Sequence, residues 1–161
     1  MNDRQGWVSI QREFNAPIDA VWKMWTDPEL FKRWYGPMGM SVPVAEMDLA
    51  VGGTRKICMQ MTSPDRSMSM WFIGVYKEIK APSRLVYTES MCDSDGTIIT
   101  PQSMGMPEGT PDVTEVVVEL AEENGRTFMT MHHIGVPEGS AGQGGWGQAI
   151  DKLAAMLDEA G

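Results

Sequence analysis

The clearest periodicity in the chain is its last one. From Gln143 to Ala160, apolar residues fall at Trp146, Ala149, Ile150, Leu153, Met156, Leu157 and Ala160, while Gln148, Asp151, Lys152, Asp158 and Glu159 fall mostly on the other side. This three-and-four spacing predicts a long amphipathic helix, whose apolar stripe must be buried against another element. Most of what precedes it alternates with a period of two and reads as strand.

Trp7 to Phe14 places Val8, Ile10 and Phe14 on one side and Ser9, Gln11 and Glu13 on the other, with Arg12 on the apolar side, at the strand end or paired inside. Asn15-Ala-Pro17 ends that strand and opens a short helix with an apolar face of Val21, Trp22 and Trp25. Asp27-Pro28-Glu29 starts a second short helix, with Asp27 as N-cap and Leu30, Phe31 and Trp34 on its buried side, and Tyr35-Gly36-Pro37 stops it. After a loop through Pro43, strands are expected over Val44 to Leu49, Arg55 to Met61, Ser69 to Ile79, Arg84 to Met91, Val113 to Leu120 and Thr127 to Ile134. Turn residues separate them, Val51-Gly52-Gly53 and Ser63-Pro-Asp-Arg66 among them. The stretch Ser69 to Ile79 is apolar on both faces and leaves its parity open. Asp93 to Pro111 has no period and reads as a long loop of the kind that binds or moves. Gly135 to Gly145 carries five glycines and reads as an irregular lead into the closing helix, a hinge on which Trp146 and the first turn could shift as a gate. Strands joined as hairpins with segregated helices predict a single α+β domain over residues 1–161, its sheet antiparallel and packed on the C-terminal helix.

Composition narrows the functional classes. Hydrophobic residues make up 42% and charged residues 22% of the chain, as in ordinary globular domains. A formal net charge of -9 without any basic run excludes sequence-independent nucleic-acid binding. No apolar run approaches a membrane span, and the polar start lacks a signal peptide's apolar region, so a cytoplasmic protein without membrane contact is expected. Cys58 and Cys92 are expected to be reduced and buried, and neither a metal nor a cofactor is expected, for no ligand spacing, GxGxxG, GxSxG or Walker loop is present. The one unusual count is 15 methionines, which suit an adaptable apolar interior.

Several segments together carry a resemblance. Arg12 to Pro17 followed by Val21-Trp22 and Trp25 to Leu30, then Asp48-Leu49 with Gly52-Gly53, Gly74 to Ile79, Pro82 to Glu89, and His133 with Gly145-Trp146, resemble the bacterial proteins similar to the C-terminal domain of the activator of heat-shock-protein-90 ATPase. The match runs from about Ser9 to Leu157. It implies the helix-grip fold of the START/SRPBCC superfamily: a curved seven-stranded antiparallel sheet wrapped round the C-terminal helix, with two short helices after the first strand. Members of that superfamily hold lipids, sterols or polyketides between sheet and helix. The resemblance leaves no room here for the N-terminal domain of the eukaryotic relative.

Candidate chemistry follows from strand parity and that fold. His133 lies with Met129 and Met131 on the face turned to the cavity, as a proton shuttle, a ligand anchor or a residue hydrogen-bonded to neighbouring backbone; His132 faces outward. Glu89 shares a face with Leu85, Tyr87 and Met91, as a general base, a ligand anchor, or a partner for Arg12 or Arg84. Glu78 is expected at a strand end in solvent. The cavity lining is expected to comprise Trp25, Trp34, Met59, Met61, Tyr76, Tyr87, Glu89, Met129, Met131, His133, Trp146, Ile150 and Leu153. The leading reading is a binding protein for a small apolar or amphipathic molecule. The alternatives are an enzyme of cyclase, hydrolase or isomerase type using His133 and Glu89, and a stress-response module that contacts a chaperone. Phe128 and Ile134 on the outer sheet face are candidates for a homodimer contact.

Overall fold

The computed structural model describes residues 6–36, 39–62, 67–100 and 112–160. Seven strands, β1 (Trp7–Phe14), β2 (Ser41–Met47), β3 (Thr54–Thr62), β4 (Ser67–Lys80), β5 (Arg84–Cys92), β6 (Thr114–Glu123) and β7 (Arg126–Pro137), form one antiparallel sheet. Its order is β1-β7-β6-β5-β4-β3-β2, so successive strands are neighbours except for β1, which pairs with β7. Helices α1 (Ile18–Thr26) and α2 (Pro28–Trp34) follow β1, and α3 (Ala141–Ala160) closes the chain. This is the helix-grip α+β arrangement.

Local chemistry sets the helix starts. The α1 N-cap, Pro17, offers no side-chain acceptor, and the backbone N–H of Ile18 donates instead to Glu122 Oε1 on β6 at 2.7 Å. At α2 the Asp27 carboxylate accepts from the N–H of Glu29, with Pro28 where a missing N–H costs nothing. Trp34 donates its indole N–H to the Met24 carbonyl in the last turn of α1, which locks the two short helices together.

The core lies on the concave side of the sheet. Tyr76, Leu85, Tyr87, Val116, Val118, Met129 and Met131 meet Val21, Trp25, Phe31 and Trp34 of the short helices and Ile150, Leu153 and Leu157 of α3. On β7, Met129, Met131 and His133 are buried while Phe128 is exposed, as the alternation requires. Both cysteines are free and buried. Among the described residues, no helix is long and apolar enough to cross a membrane.

Several boundaries differ from the sequence reading, three of them with a clear local reason or consequence for the site. β2 begins at Ser41 rather than Val44; the register shift between Ser41 and Val44 accommodates Pro43 in an edge strand, which needs fewer ladder donors. β7 continues to Pro137, and α3 begins at Ala141, so Gly142, Gly144 and Gly145 stand inside its first turns rather than in a loop. Caps outweigh the poor helix propensity of these glycines: the Ser140 carbonyl accepts from Gln143 and Gly144, and Gln143 Oε1 reaches back to the N–H of Gly139. Of the long loop, residues 93–100 are described, with a turn in which Asp93 Oδ1 accepts from the N–H of Asp95 and Thr97; residues 101–111 and the turn at 63–66 lie outside the described residues.

Candidate functional site

The sheet and α3 diverge towards one end, and a cavity of about 530 Å³ lies there. Strands β3 to β7 reach it, mainly through their inward-pointing residues. Met59 comes from β3, Met70 and Phe72 from β4, Glu89 and Met91 from β5, Thr114 from β6 and His133 from β7. The first turns of α3 form the opposite wall with Gly142, Gly145, Trp146 and Ala149, and the segment after α2 adds Tyr35, Gly36 and Met40. Gly36 has a φ of +88°, and a β-carbon there would come within 3.0 Å of the Met59 sulfur, so glycine serves both the turn and the close approach.

The cavity is smaller in extent than the concave face. Met59, Glu89, His133 and Trp146 line it as expected. Trp25, Trp34, Tyr76, Tyr87, Met129, Met131, Ile150 and Leu153 do not: they are buried where helices and sheet touch, and they fill the core. Met61 has the right parity but lies at the far end of β3, 41% exposed. Parity tells which face a side chain takes, whereas the distance between sheet and helix decides whether that face is open or packed.

Glu89 pairs with neither Arg12 nor Arg84. Arg12 reaches Asp151 on the surface of α3 at 2.7 Å, and Arg84 binds Glu78 and Glu119 at 3.0 Å, so Glu78 is paired as well. The partner of Glu89 is Arg55, whose Nη1 lies 3.6 Å from Glu89 Oε2. Both are buried, at 1% and 5% exposure, and the Tyr35 hydroxyl donates to the same carboxylate oxygen at 3.2 Å. The guanidinium lies 3.7 Å from the centre of the Tyr87 ring, with Phe31 at 5.4 Å and Tyr76 at 5.9 Å. Aromatic faces therefore surround this cation, while its Nε and Nη2 have no hydrogen-bond partner among the described residues. Burial works against the Arg55 charge, but Tyr87, Tyr76 and Glu89 outweigh it, and its pKa rises. Burial first, and then the Glu89 charge, push the Tyr35 phenol well above its ordinary range, so Tyr35 keeps the proton it donates.

The sequence offered one sign of Arg55: it shares the parity of Ile57 and Met59. Tyr35 gave none beyond its place in a helix stop. Met40, Thr114 and Val136 were missed because they sit at element ends, and Met70 and Phe72 because the parity of β4 was open.

His133 has both ring nitrogens engaged by side chains. The Trp146 indole N–H donates to Nδ1 at 2.9 Å, and Nε2 lies 2.8 Å from the Thr114 hydroxyl. An indole only donates, so Nδ1 is the bare nitrogen and Nε2 carries the hydrogen of the neutral ring. Thr114 in turn donates to the Glu89 carbonyl at 3.0 Å, which completes a directed chain from Trp146 to β5. Glu89 Oε1 is 4.0 Å from Nε2, too far for a hydrogen bond. Burial, the largest influence, lowers the His133 pKa, and Arg55 adds to this against the pull of Glu89. Because the folded state favours the neutral ring, the unfolded chain takes up its proton first. The contribution of His133 is whole above the ordinary histidine range and is lost as pH falls below about 6.5.

Trp146→Phe removes the donor and keeps most of the packing. The expected result is a loss of about 1–2 kcal/mol in denaturant unfolding at neutral pH. With Nδ1 free to take a proton, the His133 midpoint rises, read from imidazole nitrogen shifts against pH. An unchanged midpoint would show that Trp146 does not set the ring's protonation.

An antiparallel sheet gripping a C-terminal helix over a part-apolar cavity places the molecule among helix-grip proteins. The family model described as "Activator of Hsp90 ATPase homolog 1-like protein" matches residues 15–158, and the chain belongs to that family. Comparison with curated proteins gives no match. Among solved structures, a protein from Arthrobacter aurescens is 27% identical, with 99% of this chain and 90% of that one covered at a TM-score of 0.73. An AHSA1-like protein from Aeromonas hydrophila is 25% identical over 94% and 93% of the two chains, with a TM-score of 0.66. The AHSA1 protein from Silicibacter pomeroyi, 20% identical over 95% and 98% at a TM-score of 0.72, shares the fold.

Proposed function

We propose that the protein binds a small hydrophobic or amphipathic molecule in the cavity between the sheet and α3. The observation that carries this reading is the cavity of about 530 Å³, walled by Met40, Met59, Met70, Phe72, Met91 and Trp146, with its polar groups gathered around Glu89. Its volume falls within the range of about 300–1,000 Å³ usual for small-molecule sites, and such sites combine apolar walls with a few fixed polar groups. Methionine side chains adapt to a range of ligand shapes. The engaged nitrogens of His133 favour binding over acid–base catalysis: one accepts from Trp146, the other faces Thr114, and neither is free to exchange a proton with a substrate.

Met70 gives the cleanest test, since it is only partly buried and lines the cavity from a strand. Met70→Trp fills the cavity with a residue that strands favour. Titration with an apolar fluorophore is expected to give micromolar binding to the wild-type protein and at least about tenfold weaker binding to the variant, a loss of some 1.4 kcal/mol, with the unfolding transition kept. No fluorophore binding to the wild type, together with no occupant in native mass spectrometry, would sink the reading.

A further inference from the structure

We infer that the cavity selects an apolar molecule whose polar end donates hydrogen bonds, an amine ahead of an alcohol, and discriminates against a carboxylate. This rests on the binding reading above and concerns the head group that the same site prefers.

The ion pair at the base of the cavity presents only its negative partner. Arg55 is 1% exposed and enclosed by Phe31, Tyr76 and Tyr87, so a ligand cannot reach its guanidinium without displacing a ring. Glu89 lines the cavity. Its Oε2 accepts a hydrogen bond from the Tyr35 hydroxyl, while the His133 Nε2 stands 4.0 Å from Oε1, beyond hydrogen-bond reach. A carboxylate that lines a largely apolar cavity gains from a donor that arrives with the ligand.

The surrounding side-chain donors are spent inside the protein. Tyr35 donates to Glu89, Thr114 to the Glu89 carbonyl, Trp146 to His133, and Ser140 to the Pro137 carbonyl at 2.6 Å. The His133 Nε2–H faces Thr114. The Ser90 hydroxyl also lines the cavity and can give or take a hydrogen bond. A second carboxylate, the exposed Asp112, lines the cavity, and no described lysine or arginine does. One influence points the other way: the first turn of α3, with Gly142 in the wall, carries the partial positive charge of a helix N-terminus. That charge is about half a unit, against the Asp112 carboxylate and the negative side of the Glu89–Arg55 pair, the only side of it that faces the cavity. A protonated amine therefore gains both charge and hydrogen bonds, an alcohol gains a hydrogen bond, and a carboxylate meets like charge with no free side-chain cation.

The test is a head-group series with one tail: decylamine, decanol and decanoate, titrated below their aggregation concentrations at pH 7 against the bound fluorophore. Decylamine, a cation at this pH, is expected to bind about tenfold or more tighter than decanoate, with decanol between. The double variant Arg55→Met with Glu89→Gln, checked for its fold by circular dichroism, is expected to lose the advantage of decylamine over decanol. Equal binding by all three, or a preference for decanoate, overturns the head-group assignment and leaves the binding reading intact. A preference that survives in the double variant overturns the role of Glu89. Displacement of the fluorophore by none of the three overturns the head-group assignment, whereas a wild type that binds no fluorophore and carries no occupant overturns the binding reading beneath it. Because the wild-type series needs no variant, a misfolded variant cannot blur the result.

Discussion

Arg55→Met is expected to destabilise the protein by about 3–5 kcal/mol, and adding Glu89→Gln to recover most of that loss. The single variant leaves the Glu89 carboxylate 5% exposed with only the Tyr35 hydroxyl as partner, and it removes the cation from the face of Tyr87. The pair itself adds little net stability, since two charges must leave water to form it and the 3.6 Å separation is longer than a hydrogen bond. Removing both charges thus relieves what removing one creates. Urea unfolding at neutral pH, with slopes compared to ensure that the denatured states match, measures the cycle. A double variant as unstable as the single one would mean that Arg55 acts through packing between aromatic rings rather than as a counter-ion.

The second large effect is expected at Trp34, which is fully buried and packs edge-on to Trp25 at 4.8 Å and to Phe31 at 5.1 Å. Trp34→Ala is expected to cost about 3–5 kcal/mol through the cavity it leaves, plus the lost bond to the Met24 carbonyl. Trp34→Phe keeps much of the ring and removes the bond, and about 1–2 kcal/mol is expected. The consequence reaches the site, because α2 carries Phe31 against Arg55 and delivers Tyr35 to Glu89. In Trp34→Ala the near-ultraviolet circular dichroism of the aromatic cluster should fall together with fluorophore affinity. Full affinity in a folded Trp34→Ala protein would show that the short helices do not position the pocket.

The fold was legible because strands such as β1 and β7 alternate between a buried and a more exposed face, and helix starts such as Asp27-Pro28 have a local mechanism. Alternation grouped Tyr87 with Glu89 and Met129 with Met131 and His133, and the resemblance implied which face turns inward. What alternation could not supply was depth. Met131 and His133 share a face, yet one is packed in the core and the other meets the cavity, a difference that depends on what lies opposite each of them. Arg55 was overlooked for a related reason. A charged residue at a strand start reads as solvated until an aromatic enclosure from three other elements, Phe31, Tyr76 and Tyr87, is assembled around it. The start of α3 was misplaced because glycine's local preference was read without the caps that override it.

The pairing of the first strand with the last has a consequence in time. Val8 sits opposite His133 and Phe14 opposite Thr127, so β1 has no sheet partner until almost the whole chain has left the ribosome. Contacts of such long range are slow to close, and strands β2 to β6 can pair as successive hairpins well before then. During synthesis the apolar side of β1 stays without its sheet partner. His133 is supplied by the strand that ends this wait and Trp146 by the helix that follows, so the pocket is completed by the last steps of folding.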